Sequence, residues 1–216
     1  NTGWMVGDTK LATLSDTDAT NLPVIPFSDD FSNSDNWTHV DTTISGGTLN
    51  LASVTSARAS NNNWNGVTGN QYVVKINVTA ITGVIRLDDD GAGGGAGSTT
   101  TYATISSTGI QYFHITKTAS ARFRFLRSSG SASITEIEVR NKEPDRSVNN
   151  NGLQVFGTVT KTAVATGADL VSYSGFSTSN YLEQPYNSDM NFTTDMSISY
   201  WIKGGGASQS LMDRGS

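Results

Sequence analysis

The sequence predicts an all-β protein built as a β-sandwich or jelly roll, and three observations carry that expectation. The first is period two. Tyr72, Val74, Ile76 and Val78 fall on one face of a strand while Gln71, Lys75 and Asn77 fall on the other, with Val73 as the one apolar exception. The same alternation recurs at Phe113 and Ile115, at Phe123 and Phe125, and at Ile137 and Val139, each set against polar neighbours. The second is that no three-and-four apolar spacing persists long enough for a helix. The third is that the apolar runs are short and separated by Gly, Asn and Ser, the punctuation of turns between strands.

Along the chain these signals divide four regions. Residues 1–27 form a lead-in arm whose apolar side chains Trp4, Met5, Val6, Leu11 and Leu14 are too few for a core of their own and are candidate interface residues. Residues 28–140 hold the alternating strands, interrupted by the Gly-rich run 91–97, which suits a loop tip. Residues 141–152 are polar, contain Pro144 and end in Asn149-Asn150-Asn151-Gly152, a turn signal that reads as a linker. Residues 153–216 offer further strands at 153–159, 170–173 and 196–202. The chain starts without Met and stops soon after strand-like sequence, so a piece of a longer protein is expected.

Composition narrows the chemistry. A net charge of −5 with 15% charged residues leaves no concentrated cationic surface for phosphate, which argues against nucleic acid and anionic membranes as partners. No apolar run reaches the roughly 20 residues that span a bilayer. Cysteine is absent, so burial must stabilise the fold without disulfides or thiolate metal sites. Two histidines, His39 and His114, with no recognisable nucleophile motif, give no basis for assigning an enzyme. Arg122, Arg124 and Arg127 share one face of a strand and read as a polar solvent face or subunit contact.

Residues 145–203, from Asp145-Arg146-Ser147-Val148 through Gly152-Leu153-Gln154-Val155-Phe156-Gly157 and Asn180-Tyr181-Leu182-Glu183-Gln184-Pro185-Tyr186 to Trp201-Ile202-Lys203, resemble a module of marine bacteriophage structural proteins. That module leads into a concanavalin-like, laminin G-like sandwich, of which 153–216 would be the N-terminal part, truncated. Residues 28–140 resemble galactose-binding-like jelly rolls of carbohydrate-binding modules, through Asp30-Phe31-Ser32 with Trp37, Gly47 to Leu51, the Tyr72 strand and the closing Ile134 to Val139.

The resemblance implies a virion structural protein, a tail fibre or surface appendage on the particle exterior, assembled with other virion proteins and with copies of itself and adhering to host glycan. A secreted bacterial adhesin, an accessory module of a polysaccharide-active enzyme and a capsid decoration protein are the alternatives. It also implies a structural calcium shared by Asp30 and Glu136, on the first and last strands of the jelly roll, where hard oxygen ligands suit that ion. Sugar recognition in such modules uses exposed aromatic faces beside amides, which singles out Trp64 between Asn63 and Asn65. Against this, Trp is a highly buried residue on average, and a core position is the competing reading of Trp64.

Overall fold

The computed structural model describes residues 27–64, 66–89, 100–118, 122–143, 152–164, 171–186, 188, 191 and 202. The described residues from Phe27 to Pro185 belong to one compact unit, and those from Tyr186 onward to a second. The first unit is built from strands. In chain order these are β1 (Phe27–Asp29), β2 (Trp37–Val40), β3 (Thr42–Ser45), β4 (Thr48–Leu51), β5 (Arg58–Asn61), β6 (Gln71–Ile81), β7 (Val84–Asp89) and β8 (Thr101–Ile105). They continue with β9 (Gly109–Thr116), β10 (Phe123–Ser129), β11 (Ala132–Glu143), β12 (Leu153–Phe156), β13 (Thr160–Ala163), β14 (Val171–Ser174) and β15 (Tyr181–Glu183).

Two sheets enclose the core. A five-stranded sheet runs in the order β2, β5, β10, β7, β8, and an eight-stranded sheet gathers the remainder around β11, except for the separate β13–β14 pair. The alternation read from the sequence sets which side chains meet between them. Tyr72, Val74, Ile76 and Val78 of the large sheet and Ile85, Leu87, Phe123 and Phe125 of the small one are all at most 1% exposed and share one apolar cluster. Trp37 packs against Phe31, with ring centres 5.4 Å apart, and against Phe125 at 5.8 Å, so its indole spans the interior from β2 to β10.

The all-β sandwich is the predicted architecture, but its limits differ from the expected ones. Strand β11 runs through the predicted boundary at residue 140 to Glu143, and β12 joins it in antiparallel register, Lys142 opposite Gln154 and Glu143 opposite Leu153. β15 then pairs with β12. β12 and β15 therefore extend the eight-stranded sheet past residue 140.

Burial records the same junction. Asn141, Lys142, Glu143, Gln154 and Lys161 are polar yet no more than 8% exposed. Lys161 Nζ donates to Glu143 Oε1 at 2.9 Å, and the Tyr173 hydroxyl donates to the same oxygen at 3.0 Å, which ties the β13–β14 hairpin to the end of β11. Val73 is explained as well. It points away from the core and is fully buried between Arg140 and His114 of the two neighbouring strands.

Of the three arginines, Arg124 departs from the solvent-face reading. It is 1% exposed and forms an ion pair with Asp88 at 3.5 Å, on β10 between β5 and β7. The candidate interface residues Trp4, Met5, Val6, Leu11 and Leu14, the Gly-rich run 91–97 and the predicted strand at 196–202, apart from Ile202, lie outside the described residues.

If Glu143 anchors the extension, Glu143→Ala leaves the Lys161 ammonium buried without its carboxylate, and truncating one partner of a buried ion pair costs roughly 3 kcal/mol. Urea denaturation of the full chain is expected to show a loss of that size. A change within a few tenths of a kcal/mol would mean that the hairpin is held by other contacts.

Candidate functional site

The acidic pair expected from the sequence lies where β1 meets β11. β1 runs antiparallel to β11 with Ser28 opposite Glu138 and Asp29 opposite Ile137. The next residue, Asp30, therefore emerges beside Glu136, and both line a single open cleft of about 420 Å³ together with Ser28, Asp29, Ser32, Asn33 and Asn36. Every lining side chain is a hydroxyl, an amide or a carboxylate.

Several oxygens in this cleft accept hydrogen bonds from the protein. The buried Asp29 takes the Phe31 N–H on Oδ1 at 2.7 Å, and on Oδ2 it takes Asn36 Nδ2 at 3.1 Å and Trp37 Nε1 at 3.0 Å. This carboxylate caps a turn in which Phe31 adopts φ 55°, a left-handed conformation that a bulky side chain rarely accepts. Asp29 thereby aims Phe31 and Trp37 into the core. Asp30 is fully exposed, and its pKa is lowered because the hydroxyl and the backbone N–H of Ser32 donate to its carboxylate.

Glu136 Oε1 accepts from Lys75 Nζ at 3.0 Å. Burial alone would lower the Lys75 pKa, but the hydrogen bond and charge of Glu136, joined by Glu138 and Tyr112, raise it. Asn33 Oδ1 accepts the Asp35 N–H, and Asn36 Oδ1 accepts from Asn63. Calcium takes six to eight oxygen ligands, whereas here Asp29 is held by three N–H donors and the Lys75 ammonium sits on Glu136 Oε1. No group of three metal-ligating side chains forms among the described residues. The donor set does not fit the ion.

Trp64 is a core residue. It is 2% exposed, stacks on Phe123 at 3.9 Å with an interplanar angle of 3°, and meets Tyr72 edge-on at 5.2 Å. The Lys117 ammonium lies 4.9 Å from the centre of the Trp64 ring. With Phe123 and Tyr72 against the ring and almost none of its surface exposed, the expected sugar platform at this position is corrected. Its local sequence, amide-rich and turn-like, instead serves to bend the chain inward. Asn61 Oδ1 caps the turn by accepting the N–H groups of Asn63 and Trp64. Asn63 is exposed, and Asn65 lies outside the described residues.

An aromatic surface does exist, on the extension. Phe156 of β12 and Tyr181 of β15 stand directly opposite each other and stack with ring centres 4.4 Å apart and an interplanar angle of 6°. The Arg140 guanidinium lies 4.1 Å from the centre of the Phe156 ring, and its Nε donates to Glu138 Oε1 at 2.7 Å. Tyr181 is 36% exposed. Sequence reading passed over this pair because Phe156 and Tyr181 lie 25 positions apart, and no local pattern announces that their strands are neighbours.

The two histidines stand on different sheets, His39 on β2 and His114 on β9. Burial and the charge of Lys142 lower the His114 pKa. Tyr112, two residues before it on the same face, has its pKa raised, mainly by burial. Lys75, Glu183, Glu138 and Glu136 all act on the phenol, so the outward face of β9 and the end of β15 share one electrostatic environment.

No protein-family model matches the chain, and no curated protein matches it. Among solved structures it is similar to a variant of a family 29 carbohydrate-binding module, at 14% identity over 55% of this chain and 89% of that one, with a TM-score of 0.37. The C-terminal family 6 carbohydrate-binding module of a marine laminarinase from Zobellia galactanivorans matches at 13% identity over 53% of this chain and 98% of that one, with a TM-score of 0.34. The second N-terminal cellulose-binding domain of a β-1,4-glucanase from Cellulomonas fimi matches at 14% over 56% and 95%, with a TM-score of 0.37. Superpositions of this depth and identity place the chain in no family.

Adjacent acids in this cleft are expected to behave differently on mutation. Asp29→Ala removes three hydrogen bonds to a buried carboxylate and the cap on the Phe31 turn, a loss of roughly 2–4 kcal/mol in chemical denaturation. Asp30→Ala is expected to leave the midpoint near wild type, and millimolar calcium to shift neither protein. A calcium-dependent rise in the wild-type midpoint that Asp30→Ala abolishes would restore the metal site.

Proposed function

We propose that this chain is a non-catalytic module of a virion surface appendage such as a tail fibre, and that it adheres to glycan on the host surface. The observation that carries the adhesion reading is the cleft between β1 and β11. Its lining of Ser28, Asp30, Ser32, Asn33, Asn36 and Glu136 offers donors and acceptors at short reach, open to solvent, on a rigid two-sheet frame. Hydrogen bonds in this arrangement suit a polyhydroxylated ligand, because each sugar hydroxyl both donates and accepts. A frame whose core side chains are fully buried holds such groups in fixed positions, which reduces the ordering cost of binding. The appendage reading is supported by the resemblance of residues 145–203 to a module of phage structural proteins.

Two measurements test the halves of this proposal separately. Affinity electrophoresis through gels containing laminarin, galactomannan or xyloglucan is expected to retard the chain in at least one, with weaker retardation for Asp30→Ala. Immunogold labelling of virions with antibodies to the chain is expected to mark the tail. Labelling confined to the head would assign a capsid decoration protein, and antigen found only on bacterial cells or in their medium would favour the secreted adhesin.

A further inference from the structure

We infer that the exposed face of Tyr181 is a stacking platform for a pyranose ring of a neutral glycan, carried by the β12–β15 extension and not by the two-sheet sandwich. The inference rests on the adhesion reading above and deepens it, by naming a second contact and the class of sugar it takes.

The platform is ordered from beneath. Glu138 fixes the guanidinium of Arg140, Arg140 lies over one side of the Phe156 ring, and Tyr181 stacks in parallel on Phe156. A ring pinned in this way loses little conformational freedom when a ligand covers it, the cost that limits most surface contacts. The backbone is pinned as well. Ser177 and Asn180 exchange N–H to carbonyl bonds at 2.9 and 3.2 Å, closing the turn that precedes β15. Asn180 Oδ1 accepts the Thr158 N–H at 3.0 Å, and its Nδ2 donates to the Gly175 carbonyl at 3.2 Å. Gly157, at φ +63°, sits where any side chain would run into Asn180 and the Ser179 carbonyl, so the residue after Phe156 has to be glycine for this turn to seat.

The chemistry around the ring selects the occupant. A flat phenol with one free face accepts the C–H surface of a sugar ring, and hydroxyls at the edge of that sugar need polar partners within reach. Glu183 lies two residues along the same face of β15, is exposed, and has no ion-pair partner among the described residues. The Tyr112 phenol lies within the electrostatic reach of Glu183. One carboxylate acceptor thus borders the platform. Glu183 stands exposed beside the ring and the chain carries a net charge of −5, a field that disfavours sulfated or uronic chains relative to neutral ones. A nucleobase, which also stacks on tyrosine, would bring phosphates into the same field.

The test is affinity electrophoresis of the full chain in gels containing laminarin, galactomannan, xyloglucan or sulfated carrageenan. Wild type, Tyr181→Ala, Tyr181→Leu and Tyr181→Phe are compared after matching their near-UV circular dichroism. Retardation of wild type by a neutral polysaccharide, a loss of roughly tenfold in affinity for the Ala variant, the size of one aromatic stacking contact, and retention by the Phe variant support the platform. The Leu variant keeps apolar bulk against Phe156, and it decides the matter if the Ala variant does not fold. Equal retardation of wild type and the ring-less variants would overturn the platform and leave the adhesion reading standing. Retardation by carrageenan alone would overturn the neutral class. No retardation of wild type in any gel would overturn the adhesion reading and the platform with it.

Discussion

Strand β11 is the element on which the rest of the unit depends, because β1, β4, β6 and β12 all pair with it. Its inward residues Ile134, Ile137 and Val139 are fully buried, and Ile137 and Val139 lie opposite Ile76 and Val74 of β6. A one-residue slip in this pairing would turn Glu136, Glu138 and Arg140 into the core, which the cost of burying charge forbids. The register is thus fixed by the sequence of β11 itself, and with it the approach of β1, the position of Asp30 beside Glu136 and the reach of Lys75 to Glu136. β6 follows β11 from Ala132 to Asn141, with register shifts near Ser133 and Ile134, while the opposite edge of β11 passes from β4 at Ala132–Ile134 to β1 at Ile137–Val139.

The two ends of β11 serve different purposes. At its beginning the strand pairs with β4 and β6 and closes the apolar interior. At its end, three consecutive polar residues, Asn141, Lys142 and Glu143, are buried, a pattern that a free strand end would not sustain. It becomes sensible only with the extension present, since Lys161 and Tyr173 both donate to the Glu143 carboxylate. The extension, in turn, could not present Tyr181 without β11, because Arg140 supplies the layer beneath Phe156.

Much of this fold was legible in the sequence because core strands alternate. Tyr72 to Val78 and Ile137 to Val139 declare their faces, and Asp30 and Glu136 could be placed together from the expected pairing of first and last strands. What was not legible has physical causes. The exception at Val73 is buried on the outward face, but a single apolar residue on a polar face does not say which neighbours enclose it. Polar residues 141–143 read as linker because burial of a polar group depends on its partners, and Lys161 and Tyr173 lie 18 and 30 positions away from Glu143. Trp64 carried a sugar-platform reading beside a core one because amides surround it in sequence, and Asn61, whose side chain caps the turn that carries the indole inward, favours the core. Asp29 drew no notice beside Asp30. Of the two adjacent acids, the alternation of the strand sends one inward to brace Phe31 and Trp37 and leaves the other in water.

That division of labour bears on where a ligand can bind. A side chain that holds the fold through several buried hydrogen bonds has little freedom to serve a ligand, since any new contact must displace an old one. Asp29 is of this kind, and so is Trp64, whose ring is enclosed by Phe123 and Tyr72. Asp30, Glu183 and Tyr181 are not, and they lie on elements whose backbones are fixed by pairing with β11 or β12. The surface able to recognise another molecule is therefore made of residues one step removed from the core: their positions are set by strands they do not themselves stabilise, which leaves their polar edges and ring faces available to a partner.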